Sequence, residues 1–174
     1  MARAKKTNGR KKIFQGIAFI FIFGLILPES PQLPLQSSSA PTRLVGDALF
    51  EAPIGSNIHA TTNGLVVYQD YDLATGFSLG ILGARWRIHQ YKNLNERFVS
   101  IGDWVKAGDK IGTLGYDRRI FARPRLEYHI LSLIPYLWRI EPESWHKAFF
   151  LDPYEELAKV SSGKPQKELS ASLK

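Results

Sequence analysis

The 174-residue chain has no cysteine, which excludes disulfide cross-links and lipid attachment through a cysteine, and is compatible with a location outside the cytoplasm. Net positive charge is scarce once the first dozen residues are set aside. The formal net charge is +7, but Arg3, Lys5, Lys6, Arg10, Lys11 and Lys12 supply six of those charges. The remainder is close to neutral and carries no nucleic-acid-binding motif, so nucleic acid is not an expected partner. Charge is missing altogether from residues 13–28, "IFQGIAFIFIFGLILP", where Gln15 is the one strongly polar side chain.

That uncharged run has no polar periodicity of the kind a surface helix needs, and it reads as a membrane segment. Its length falls between a signal-peptide core and the ~17–25 residues of a spanning helix. The sequence after it is more informative. The chain continues "ESPQLPLQSSSAPT", and its small-x-small site ends at Ala40 with Pro41 next, a poor position for cleavage. An uncleaved anchor is expected. The basic cluster before the span places the N-terminus in the cytoplasm and the rest of the chain outside it.

The expected organisation is a basic segment at 1–12, an anchor at 13–28, a Pro/Ser-rich tether at 29–42, one β-rich domain at 43–160 and a polar tail at 161–174. Within the domain, "GLVVYQ", "FSLGIL", "ARWRIHQY" and "LEYHILSL" are short runs of branched and aromatic residues set off by turn formers. The predicted fold is all-β, a small antiparallel sheet or barrel-like sandwich flanked by the membrane helix and a short C-terminal helix. That last helix is read from "DPYEELAKV", with Asp152 as N-cap and Pro153 at the first helical position. The aromatic residues Tyr136, Trp138, Trp145, Phe149 and Phe150 are expected in the core or over an open sheet edge, with a partner surface as the other use for them.

Two strands carry polar rows. In "PRLEYHIL" alternation sets Arg125, Glu127 and His129 on one face. In "ARWRIHQY" it sets Arg85, Arg87, His89 and Tyr91 on one face. These seven residues are the candidate ligand-binding side chains. A Glu flanked by arginines across neighbouring strands is also an ordinary solvated ion-pair ladder, and a lone histidine is more often a hydrogen-bonded structural group than a ligand.

Between the strands lies "VSIGDWVKAGDKIGTLG", residues 99–115, whose two Gly-Asp pairs permit tight reversals. Together with "LFEAPIGSNIHATTNGLVV", "IHQYKNL", "PRLEYHI" and "DPYEEL" it resembles the M23 (lysostaphin/LytM-type) peptidoglycan metallopeptidases, from about Arg43 to Leu157. The meander, preceded by "APIGSNIHATTNGLVVY", also resembles the biotinyl/lipoyl carrier domains. Those display a lysine at a hairpin tip, typically as Met-Lys-Met, whereas the one methionine here is Met1 and Lys110 follows a Gly-Asp turn.

The M23 resemblance implies a zinc held by the His and Asp of "H-x-x-x-D" and the second His of "H-x-H", assisted by the first His of that pair and the His of "Y-x-H". At the matching places this chain has Val45 and Leu49, then Arg125 and Glu127, with His129 where the family has the Glu of "F-E". His89-Gln90-Tyr91 reads as a reversed "Y-x-H" with Tyr91 in the histidine's place, so the resemblance implies that Arg85, Arg87, His89 and Tyr91 border the same groove as Arg125, Glu127 and His129. Neither Val45 nor Leu49 can bind zinc, and Arg125 sets a permanent positive charge beside the cation. The expectation is therefore a domain with no catalytic residue, no metal and no cofactor, which binds peptidoglycan or regulates a cell-wall hydrolase. Two alternatives stand beside it. One is an endopeptidase with zinc in a site rearranged from Asp47, His89, Glu127 and His129; the other is a carrier-like barrel serving as an adaptor.

Overall fold

A computed structural model of the chain describes residues 31–35, 42–44, 47–116, 123–139, 148–154 and 156–157. Ten strands account for most of them: β1 Thr42–Leu44, β2 Asp47–Glu51, β3 Asn57–His59, β4 Gly64–Asp72, β5 Gly76–Leu82, β6 Arg87–Arg97, β7 Trp104–Val105, β8 Lys110–Leu114, β9 Arg125–Ser132 and β10 Phe150–Leu151. All pairings are antiparallel. The main order is β1-β2-β9-β6-β5-β4-β7, with β10 on β9, and β8 joining both β6 and β3. The all-β expectation holds.

The long strand β6 organises the sheet because it changes partner along its length. Arg87–Lys92 pair with β9, and Leu94–Arg97 pair with β8. Between the two stands Asn93 at φ 67°, a left-handed conformation that asparagine tolerates better than most residues. The bend brings the "GDWVKAGDKIG" meander back over the sheet. Both Gly-Asp pairs act as the sequence suggests. Gly102 and Gly108 take positive φ, and the Asp103 and Asp109 carboxylates accept from the Ser100 and Lys106 amides at 2.8 Å.

The core gathers Ala48, Phe50, Ile58, Val66, Leu79, Ile81, Tyr91, Leu94, Ile111, Leu126, Tyr128 and Ile130, with Leu35 and Leu157 closing it. Strand β9 alternates strictly between buried and half-buried residues. It buries Leu126, Tyr128 and Ile130, the face opposite Arg125, Glu127 and His129.

One flank differs from expectation and the other agrees with it. Pro31–Leu35 is not an extended tether, because the Gln32 amide donates to the Thr61 carbonyl at 3.0 Å and the Pro34 carbonyl accepts from His59 at 2.8 Å. Pro34 and Leu35 are buried. At the other end Asp152 Oδ1 accepts from the Tyr154 amide at 2.9 Å, as an N-cap does, and helical residues begin at Pro153. The expected membrane segment at 13–28 and the polar tail lie outside the described residues. Among the described residues no helix is long and apolar enough to cross a membrane.

Candidate functional site

The two polar rows do not meet. In the β6–β9 register Arg87 faces Ser132, His89 faces Ile130 and Tyr91 faces Tyr128, while Gln90 faces His129 and Lys92 faces Glu127. Cross-strand partners point to the same side of a sheet. Arg87, His89 and Tyr91 therefore project on the core side, and Arg125, Glu127 and His129 on the other. Arg85 belongs to neither row; it stands in the turn Ala84–Trp86 at φ 56° and is exposed.

On the core side the row forms a polar cluster around Thr61. Its hydroxyl lies 2.7 Å from the Tyr91 hydroxyl, 3.0 Å from that of Tyr128 and 3.2 Å from His89 Nδ1. The Thr61 amide donates to the Tyr91 hydroxyl at 2.8 Å, and His89 Nδ1 and the Tyr128 hydroxyl are 2.6 Å apart. Burial, and next the nearby Arg87 guanidinium, push the His89 pKa down to about 3. The imidazole is thus neutral at neutral pH, and its Nδ1 shares a hydrogen bond with the Tyr128 hydroxyl. Arg87 is buried beside the Tyr136 hydroxyl, 3.2 Å from its Nη2, and 3.8 Å from Glu156. Thr61, Arg87, His89, Tyr128 and Glu156 line part of a cavity of about 30 Å³.

On the other side β2 joins β9, with Leu49 opposite Glu127 and Ala48 opposite Tyr128. This places Asp47, Leu49, Glu127 and His129 on one face, as the M23 motif positions require for Leu49 and Glu127. His129 Nδ1 lies 2.5 Å from Asp47 Oδ1. Burial lowers the His129 pKa, Lys92 lowers it further, and Asp47 and Glu127 oppose the shift in part. A neutral His129 donates Nδ1–H to Asp47, which leaves Nε2 with a free lone pair, buried and without a partner. Two more buried side-chain atoms lack partners, Arg125 Nε and Asn93 Oδ1. Arg125 belongs to the same row, and Asn93 is tied to it, since its amide donates to the Arg125 carbonyl at 3.0 Å. No ion pair joins Arg125 or Glu127 among the described residues, so this row is not a salt-bridge ladder.

Asn93 was missed in the sequence, and Tyr91 was set in the wrong place. Tyr91 is fully buried on the core side and cannot stand where the histidine of "Y-x-H" stands. Tyr91-Lys92-Asn93-Leu94 keeps the Tyr and the Leu of "Y-x-H-L", and it puts Asn93 at the histidine position beside Arg125. The leucine was the available signal.

These side chains do not fit a catalytic zinc. Leu49, 6 % exposed, occupies the place of one ligand, Arg125 adds positive charge, and Glu127 is one donor where at least three are needed. Among the described residues no three His, Asp or Glu side chains are grouped closely enough to hold a metal ion. The rearranged set fails at His89, which is on the far side of the sheet. Val45 lies outside the described residues. Lys110 opens β8 with its ammonium 4.5 Å above the Phe98 ring, so it is not presented at a hairpin tip as a carrier lysine is.

Comparison with known proteins bears on the fold. The profile described as Peptidase family M23 matches residues 48–134. Over 82 residues the chain is 35 % identical to the peptidoglycan DD-endopeptidase ShyC of Vibrio cholerae, covering 47 % of this chain and 19 % of that protein. The chain thus spans about a fifth of the length of this curated relative. Among solved structures, lysostaphin from Staphylococcus simulans aligns with a TM-score of 0.57 at 18 % identity, covering 80 % of this chain and 57 % of that one. The catalytic domain of the prophage-encoded M23 protein EnpA from Enterococcus faecalis, solved as a point mutant, aligns at 0.53 and 21 %, covering 72 % and 95 %. At these identities the two structures speak for the fold.

Proposed function

Since the chain belongs to peptidase family M23, we propose that it is a non-catalytic member, anchored through residues 13–28, whose Arg125-Glu127-His129 face binds cell-wall peptides outside the cytoplasm. The observation that carries this reading is Leu49 directly opposite Glu127, an aliphatic side chain where the family's motif has a zinc-binding carboxylate. Support for binding comes from the unpartnered atoms. Arg125 Nε is a donor, and Asn93 Oδ1 and His129 Nε2 are acceptors; leaving such groups buried and unpaired costs ~1–3 kcal/mol each, so a ligand that satisfies them is favoured. Peptide groups offer both donors and acceptors, and a guanidinium suits the carboxylates of a stem peptide. The similarity to a protein named as a peptidoglycan endopeptidase directs the choice of ligand.

The test is metal content and hydrolysis measured on the same purified full-length protein. We expect less than stoichiometric zinc after incubation with it, and no release of peptidoglycan fragments. Arg125→Ala should weaken binding to peptidoglycan by ~1–3 kcal/mol, the loss of one charge-assisted contact. One zinc per chain, lost in His129→Ala, would replace this reading with the enzyme. Binding unchanged in Arg125→Ala would remove this face from the function and favour contact with a cell-wall hydrolase through another surface.

A further inference from the structure

We propose that the segment Leu133–Trp138 is a second membrane contact, bedded in the interfacial layer of the bilayer that residues 13–28 enter; this rests on the anchored reading above. Four of its six residues present apolar side chains to solvent: Leu133 is 48 %, Ile134 37 %, Leu137 68 % and Trp138 81 % exposed. Single exposed apolar residues are ordinary, but a run of this kind with Trp at its tip and no acidic residue matches what lies at a membrane–water interface.

The segment is held outward by the protein. The Leu133 amide donates to Trp86 O at 2.8 Å, and the Tyr136 amide to Ala148 O at 2.9 Å. The Ser132 hydroxyl donates to Ile134 O at 2.7 Å. Arg87 holds the Tyr136 hydroxyl, and the Tyr136 ring packs edge-on against Trp138 with centroids 5.0 Å apart. Three of the segment's backbone polar groups are thereby satisfied within the protein, which lowers the cost of shallow burial in lipid.

Its location supplies the partner. Leu133–Trp138 follows the C-terminal end of β9, beside Trp86 and Arg87 at the start of β6. Pro31 reaches the same end of the sheet, where it lines the small cavity together with Ala84, Arg87 and Leu157. Pro31–Leu35 is docked, so only Glu29 and Ser30 separate it from the apolar run that ends at Pro28. Three residue steps span at most ~11 Å. An anchored chain thus keeps this end of the domain against the bilayer. Leu73, 78 % exposed in the β4–β5 turn, is at the far end of β4 from Gly64 and Leu65.

The absence of cysteine makes the test direct. In the full-length chain reconstituted into vesicles of mixed zwitterionic and anionic phospholipid, Leu137→Cys and Leu73→Cys are each labelled with a polarity-sensitive fluorophore. The label at 137 should shift to the blue and be quenched by nitroxide-bearing lipid, while the label at 73 stays in a water-like state. A water-like label at 137 in protein that still floats with the vesicles overturns the proposal and leaves the anchor standing. Protein that does not float with the vesicles removes both. A label at 137 shielded from water but out of reach of lipid quencher indicates a protein partner and also overturns it. Peptidoglycan binding is read separately and is not required for any of these outcomes.

Discussion

Thr61→Val is expected to destabilise the domain by ~2–4 kcal/mol, although the substitution barely changes the side chain's volume. One hydroxyl serves three buried partners, Tyr91, Tyr128 and His89. Valine leaves their polar atoms facing a methyl group, and water in the adjoining cavity of about 30 Å³ can offset only part of the loss. Each orphaned buried group costs ~1–3 kcal/mol, and the contacts that survive, Tyr128 with His89 and the Thr61 amide with Tyr91, keep the sum below a full threefold loss. Tyr91→Phe or Tyr128→Phe deletes a single hydroxyl and should cost less, ~1–2 kcal/mol. Urea unfolding would show the difference as a lower midpoint at an unchanged slope. A Thr61→Val midpoint equal to that of the parent would mean that the cluster is not a stabilising element.

Acid should destabilise the domain through His89. Its pKa is pushed from the ordinary 6.5 down to about 3 in the folded state. Between those two values the unfolded chain binds a proton that the native chain refuses. Stability must therefore fall as pH drops below about 6.5 and level off near 3, with a limiting slope of ~1.4 kcal/mol per unit. The ring keeps some solvent access through the cavity it lines, so the realised loss by pH 4.5 is about 1–3 kcal/mol. His129 adds to the loss in the same direction, since its pKa is also lowered. His89→Gln should flatten the pH dependence of the urea midpoint between 6.5 and 4.5 relative to the parent. An equally steep dependence in that variant would assign the acid sensitivity to other groups.

Strand positions and turns were readable because they depend on local chemistry. The alternation in "LEYHILSL", the Gly-Asp reversals and the Asp152-Pro153 helix start all stand where residue type puts them. The face of β6 was not readable in the same way. Alternation states which residues of one strand share a side, but not which side of the neighbouring strand they join, and that depends on register. The row of Arg85, Arg87, His89 and Tyr91 was thus set beside Arg125, Glu127 and His129, when Arg87, His89 and Tyr91 lie behind them. Arg85 shows a second limit. Two successive left-handed residues, Arg85 and Trp86, end the strand pattern at a point where neither side chain announces it. Alternation also fails across Asn93, where one positive φ turns the strand toward a new partner. Of the expected aromatic cover, Phe150 does pair beside β9 through β10, Trp138 is exposed, and Trp145 lies outside the described residues.

The docking of Pro31–Leu35 bears on how the chain can be processed. Cleavage after Ala40 would separate Leu35, which is 2 % exposed in the core, from the domain it helps to fill. The product would lose the backbone bonds at Thr61 and His59 and leave a void in the core where Leu35 sits. A protease acting there before folding would yield a less stable protein, and one acting afterwards would find a substrate pinned on its N-terminal side. An N-terminal segment that stays attached keeps both the core and its strap whole.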